Sequence, residues 1–263
     1  MLRSPLRWVG GKFRIREKIL AKFPRHQCYV ELFSGAAWLL FAKDPATSKS
    51  EILNDLDGEL VNFWRVIKHR PAEFTEAAAG LLAARELFNE WKPLPGVGGE
   101  VARAVKFYAV IRLAFGAKRM GCAYIAKVSG RPELTWVKAK EEVSKVVERL
   151  SIVWVERMPW DHCVKAYDRP DTFFYVDPPY RAPGAKSYRH WFTDEDHTRM
   201  ADVLMGRVRG RWLLSYNDDP FIRQLYRGRA RGGRRVTIEQ IAVPYSVMGV
   251  SRKRVQELLI RNF

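Results

Sequence analysis

The run Thr172-Phe173-Phe174-Tyr175-Val176 offers water almost no polar side chain on either face. Such a strand must be covered on both sides, as a central strand of a parallel sheet is when helices pack above and below it. Five further runs share this character: Cys28–Phe33, Glu51–Leu53, Ile152–Val155, Trp212–Tyr216 and Val255–Ile260. Helical patterns at 11–23, 36–43, 194–206 and 219–227 lie between them. Thr193 ahead of Asp194-Glu195-Asp196 reads as an N-cap with acids in the first turn. The alternation predicts an α/β chain with an open, doubly wound sheet. From Asp57 to Leu150 the strand signal fades, and apolar residues recur at helical spacing, as in Leu60, Phe63, Trp64 and Ile67. The expected organisation is a sheet domain formed by 1–56 and 151–263, interrupted by a mostly helical insert at 57–150.

Charge narrows the partners. Lys and Arg total 46 against 29 Asp and Glu, a net charge of +17 that no fold requires. It suits a polyanion, nucleic acid before an anionic membrane surface. No apolar stretch approaches the roughly 18 residues of a membrane span, so no membrane role is expected. Cys28, Cys122 and Cys163 are widely spaced, which favours a reducing, cytoplasmic setting over a disulfide framework or a zinc ribbon. The N-terminal segment lacks the apolar run of a signal peptide. Basic residues concentrate in two places. Arg112 to Lys140 carries seven against the single acid Glu133. Arg227 to Arg235 is nearly pure Arg and Gly and reads as a mobile basic loop.

Several chemistries are excluded by what is missing. Gly10-Gly11-Lys12 ends like a phosphate-binding loop, but Leu6 and Phe13 stand where Gly and Ser or Thr are needed. The five histidines do not cluster at ligand spacing, and no metal is expected. No nucleophile elbow is present. What does stand out is Asp177-Pro178-Pro179-Tyr180, directly after the strongest strand. Ligands of open α/β sheets bind at that strand edge. The prolines stiffen the loop and carry no N–H, so a carboxylate, a free carbonyl and an aromatic ring share one rigid turn. Two acceptors and a stacking face suit a planar base bearing an amino group.

The motif and its company resemble the Dam-like, alpha-group family of DNA adenine-N6 methyltransferases. Arg7-Trp8-Val9-Gly10-Gly11-Lys12 resembles that family's N-terminal segment, Tyr29-Val30-Glu31-Leu32-Phe33-Ser34-Gly35 its cofactor loop, and Leu53-Asn54-Asp55 its acidic turn. Phe192 to His197, Leu214 to Asp218 and Glu257 to Ile260 resemble its later segments. Ala36-Ala37 departs from it where many relatives have a further Gly. The hairpin associated with GATC recognition is not found, and Arg112-Leu113-Ala114-Phe115-Gly116 resembles a shorter version.

The resemblance implies a Rossmann-like methyltransferase fold, with the insert as target-recognition region. It implies transfer of a methyl group from S-adenosylmethionine to N6 of a flipped adenine in a specific double-stranded DNA sequence. Asp177, Pro178, Pro179 and Tyr180 would be catalytic. Trp8, Lys12, Glu31, Phe33, Gly35, Asp55 and Asp177 would bind the cofactor. Contacts to DNA are expected from Arg112, Lys118, Arg119, Tyr124, Lys127 and Arg131, and from Arg229, Arg231 and Arg234 in the late loop. A monomer or weak dimer is expected, in a bacterial or phage-infected cell and associated with the nucleoid. The tetrapeptide by itself leaves cytosine N4 or an RNA amino group open, and a catalytically idle DNA-binding relative is the rival from another class.

Overall fold

The structure is a computed structural model and describes residues 2–8, 12–93, 97–114, 123–124, 136–181, 192–243 and 255–263, with the backbone alone at 136–142 and 255. Seven strands form one sheet: β1 (Cys28–Glu31), β2 (Ser50–Asn54), β3 (Val153–Glu156), β4 (Thr172–Val176), β5 (Arg211–Asn217), β6 (Thr237–Val243) and β7 (Val255–Arg261). Their order is β3-β2-β1-β4-β5-β7-β6. Strands β1 to β5 run parallel, and β7 is antiparallel to both of its neighbours. Chain order reverses between β1 and β4, so the crevice beyond the C-terminal ends of these two strands is the topological switch point.

The apolar runs do what their composition demands. Val30 pairs with Ile52 on one side and Phe174 on the other, and Phe174 pairs with Trp212. These four side chains lie in one buried cluster with Met200, Leu204 and Ile222, from helices α9 (Asp194–Gly206) and α10 (Pro220–Leu225). Their chain neighbours Tyr29, Leu53, Phe173 and Leu213 point to the opposite face, into a second cluster. Period-two alternation between two covered faces is what makes the strands look continuously apolar.

Five helices join β2 to β3: α3 (Gly58–His69), α4 (Pro71–Ala79), α5 (Arg85–Trp91), α6 (Glu100–Leu113) and α7 (Trp136–Leu150). Asp57 caps α3 by accepting from Glu59 N at 3.0 Å. Phe63 of α3 stacks on Tyr108 of α6 at 5.9 Å, and Trp64 meets Phe41 at 5.6 Å. These helices therefore share the cluster on one sheet face, and a single buried core runs from the sheet into segment 57–150.

Other elements depart from expectation. The pattern at 11–23 yields a 3-10 turn at Lys12–Arg14 and the short α1 (Arg16–Leu20) instead of one helix. Helix α2 (Trp38–Ala42) starts two residues late because Ala37 holds a left-handed conformation. Strand β6 and helix α8 (Trp160–Tyr167) were not anticipated. β6 is an edge strand of half-buried, mixed residues, which blurs the apolar signal. The capping box at Thr193 is present, with Thr193 N donating to Asp196 Oδ2 at 2.9 Å and Asp196 N to Thr193 Oγ1 at 3.2 Å.

The largest correction concerns Arg227 to Arg235. The segment is a built turn, not a mobile loop. Arg229 bridges to Arg235, and Gly232 and Gly233 adopt φ of +75° and +74°, which a Cβ would disfavour. Arg234 donates to Gly210 O at 2.7 Å and Arg209 O at 2.8 Å, and Arg231 donates to Arg207 O at 2.8 Å.

One ionic cluster stitches the core. Glu51 of β2 is fully buried and pairs with Lys43 at 2.9 Å and with Arg149 of α7, whose Nη2 also donates to Leu40 O at 3.0 Å. Removing the carboxylate would strand two buried cations. Glu51→Leu is expected to cost about 3–5 kcal/mol in a denaturant titration. An unchanged midpoint would mean that the cluster holds nothing together.

Candidate active site

Strand pairing builds the site. Glu31 of β1 is in register with Tyr175 of β4. The residues that follow, Phe33–Gly35 and Asp177, therefore leave the sheet side by side at the switch-point edge. Strand β7 runs the other way, so Glu257 near its start faces Asn217 at the end of β5 and arrives at the same edge.

Asp177 sits in a polar cage. Its Oδ1 receives Lys12 Nζ at 2.8 Å, Ser215 Oγ at 3.1 Å and Tyr180 OH at 3.1 Å. Every one of these contacts falls on Oδ1, so among the described residues Oδ2 remains as an acceptor. Glu257 closes the cage, 3.3 Å from Lys12 Nζ and 2.8 Å from Tyr180 OH. Burial pushes the Asp177 pKa up, Lys12 pulls it back, and Glu257 pushes it up again. Lys12 is thus the group that opposes protonation of Asp177. Tyr180 packs its ring on Tyr216 at 4.4 Å, with Lys12 Nζ 4.9 Å from its centroid. Pro178 is buried and Pro179 half-buried between these anchors.

Next to this cage the loop after β1 makes a tight turn. Gly35 has φ +47° and donates its N–H to Asp55 Oδ2 at 3.0 Å, while Asp55 Oδ1 accepts from Asp57 N at 3.0 Å. The Trp8 indole lies against Gly35 so closely that a Cβ there would come within 2.9 Å of Nε1. Phe33 meets Phe192 edge-on at 5.7 Å. Ala37 takes φ +53° without being glycine, a conformation that costs an L residue about 1–2 kcal/mol. The left-handed geometry that a further Gly would supply is therefore present, carried by Ala37 under strain.

Glu31 lies behind the loop. It is buried, and its Oε1 accepts from Tyr29 OH at 2.8 Å and from Leu40 N in the first turn of α2 at 2.7 Å. It fixes α2 against β1.

Sequence reasoning thus identified Trp8, Lys12, Glu31, Phe33, Gly35, Asp55, Asp177 and Tyr180, and the fold gathers them at one edge. Glu257, Ser215 and Asn54 fall within matched segments but had no role assigned to them. Asn54 Nδ2 donates to Leu32 O at 3.0 Å and Met158 O at 3.1 Å, tying the ends of β1 and β2 to the loop after β3. A lone acid in the last apolar strand was the available signal for Glu257.

The expected DNA-contact residues are scattered. Arg112 ends α6 with its guanidinium 5.8 Å from the Tyr108 ring centroid. Tyr124 donates to Ala83 O at 2.9 Å and packs on Phe88. Lys118, Arg119, Lys127 and Arg131 lie outside the described residues. Arg229, Arg231 and Arg234 sit in the loop that enters β6, at the edge opposite Asp177. Among the described residues no group of His, Cys, Asp and Glu could hold a metal ion, and no helix is long and apolar enough to cross a membrane.

Glu31 gives a pH signature. Burial pushes its pKa from 4.5 to about 8. The folded state then holds a proton that the unfolded chain has lost, so the group's contribution to stability falls between pH 4.5 and about 8. In that window the stability difference between wild type and Glu31→Gln should change by about 1.4 kcal/mol per pH unit, read from denaturation midpoints. A difference that does not move with pH would place the carboxyl at its ordinary value.

Comparison with known proteins agrees with this geometry. The chain is 25% identical over 280 residues to the DNA adenine methylase of Escherichia coli K12, covering 98% of this chain and 94% of that protein. It is 24% identical to the type II methyltransferase M1.LlaDCHI of Lactococcus lactis subsp. cremoris, covering 100% and 96%. It is 26% identical over 248 residues to the DNA N-6-adenine-methyltransferase of Escherichia phage P1, covering 85% of this chain and 31% of that protein. A family model described as D12 class N6 adenine-specific DNA methyltransferase matches residues 8–242, nearly the whole chain. With a half-buried, caged acid after β4 at the switch point and a tight glycine turn beside it, the chain belongs to the D12 class of N6 adenine-specific DNA methyltransferases.

Proposed function

We propose that the methyl donor is S-adenosylmethionine and that the acceptor is an adenine turned out of a specific double-stranded DNA sequence. The observation that carries this reading is Asp177, a caged carboxylate whose contacts all fall on one oxygen. Bound there, the donor would supply a methyl group on positively charged sulfur.

The residues around the first loop fit such a donor. Gly35 lets a ligand approach the backbone closely. Asp55, which accepts from the Gly35 and Asp57 N–H groups, stands at the end of β2, where an acid suits ribose hydroxyls. Trp8 and Phe33 offer aromatic walls. Glu31 would act from behind the loop, through its hold on Leu40 N at the start of α2.

The adenine N6 is a weak nucleophile because its lone pair is delocalised into the ring. Asp177 Oδ2 and the Pro178 carbonyl would accept its two hydrogens, favouring a pyramidal nitrogen with its lone pair directed at the methyl group. The contribution is orientation and charge placement, without a covalent enzyme intermediate. Unstacking the base costs about a few kcal/mol, and stacking on Tyr180 returns about 1–3 kcal/mol. To do so Tyr180 would exchange its contact with Tyr216 for the base. Segment 57–150 would carry target recognition, with Arg112 and the basic residues to Lys140 reaching base edges and phosphates.

Two substitutions test the assignment. Asp177→Ala should lower methyl transfer by at least about 10²-fold, the scale of losing one preorganised transition-state contact, with DNA binding within several-fold of wild type. Transfer of labelled methyl groups to random-sequence DNA, followed by mapping of modified adenines, reads activity, base and target together. Near-normal turnover would remove Asp177 from the chemistry. Lys12→Met takes away the cation that opposes protonation of Asp177, so the acidic limb of the kcat profile should move to higher pH. A limb that stays in place would mean that Asp177 ionisation does not control the rate.

A further inference from the structure

We propose that the sheet edge opposite the active site binds a second segment of double-stranded DNA through its phosphates, without sequence preference. The loops that enter β1, β2, β4, β5 and β6 all lie on that edge, because these five strands run in the same direction. They carry Arg25, Lys49, Arg169, Arg207 and Arg209, together with the arginines between 227 and 235. Among the described residues none of these makes an ion pair. Several arginines elsewhere are paired: Arg181 with Asp194 and Asp219, Arg223 with Asp218, and Arg103 with Glu59.

Three acids on the same loops, Asp44, Asp168 and Asp171, offset part of this charge and leave it net positive. Asp44 accepts from Ala46 N, and Asp168 accepts from the backbone N–H groups of Arg209 and Gly210. Asp171 is the remaining exposed acid.

Arg211, Arg231 and Arg234 at this edge are held in place by backbone carbonyls, while the side chains of Arg25, Lys49, Arg207 and Arg209 extend into solvent. Arg211 donates to Arg25 O, Arg231 to Arg207 O, and Arg234 to Gly210 O and Arg209 O. A carbonyl fixes a guanidinium without neutralising it, and each retains further N–H donors suited to phosphate oxygens. A groove of about 1080 Å³ opens among the same loops, lined by the basic residues Arg25, Lys43, Lys49 and Arg211 and by the acids Asp44 and Asp171.

The position sets this charge apart from the active-site edge. Strands of four to seven residues separate the two edges by about 13 Å or more, and the sheet with its helices stands between them. A straight duplex seated over Asp177 does not reach Arg207 or Arg209. The charge therefore meets a different stretch of DNA, and one chain would join two segments. Double-stranded DNA is the favoured polyanion because the family's substrate is DNA and the array carries fixed charge without an aromatic platform for unpaired bases.

The test uses the full chain and short duplexes sheared from genomic DNA, labelled separately with donor and acceptor fluorophores. At about 50 mM salt the wild type should bind two duplexes per chain and bring the labels together, and the second step should be lost by about 200 mM. The variant Arg25→Ser, Lys49→Ser, Arg207→Ser and Arg209→Ser alters exposed side chains to which the structure gives no hydrogen bond. It should melt at the wild-type temperature, methylate the same DNA at the wild-type kcat, bind one duplex per chain and lose energy transfer at least tenfold. One duplex per wild-type chain would overturn the proposal, as would a second step that the variant keeps. The proposal rests on DNA being the substrate. Failure of that reading would appear as absent methyl transfer in the wild type, whatever the stoichiometry.

Discussion

The parallel pairing of β1 with β4 is the constraint on which the rest depends. Glu31 in register with Tyr175 sets where each strand ends. Two loops with unrelated sequences therefore leave the sheet as neighbours: the tight turn at Phe33–Gly35 and the rigid turn at Asp177–Tyr180. A slip of one residue would send the apolar side chains of β1 to the wrong faces and pull these loops apart. Burial on both faces fixes this register more firmly than any hydrogen bond in the site.

Within that frame the site is an electrostatic balance. Asp177 and Glu257 are two acids brought close in a poorly hydrated place, and Lys12 and Tyr180 lie between them. Burial favours the neutral acid, and Lys12 favours the carboxylate. A carboxylate accepts from two N–H donors where a protonated acid would give up part of that capacity. The lysine in the N-terminal segment, far away in sequence, thereby belongs to the chemistry of the turn after β4.

The molecule is also polar in a larger sense. Around Asp177 cations are matched with acids, as at Lys12 and Arg181. At the opposite edge arginines are matched with carbonyls, which order them and leave their charge intact. The net charge of +17 is therefore not spread evenly over the described surface.

Much of this was legible in the chain. Central strands are readable because apolar residues on two covered faces leave an unbroken run, as in β4 and β5. The Asp-Pro-Pro-Tyr turn is readable because its chemistry is local and its neighbours supply no alternative use for it. Strand β6 was hidden because an edge strand buries only part of itself, and α1 fell short of its helical pattern because the chain turns through 3-10 geometry at Lys12–Arg14. The sequence by itself determined the doubly wound sheet, the acid after β4 and the excess of positive charge. Only the tertiary structure decided that Glu257 and Ser215 meet Asp177, that Glu31 serves α2, and that the arginine turn lies on the far edge. Those facts depend on strand order and direction, and above all on the antiparallel β7, which follow from packing between distant segments and leave no local trace in the residues themselves.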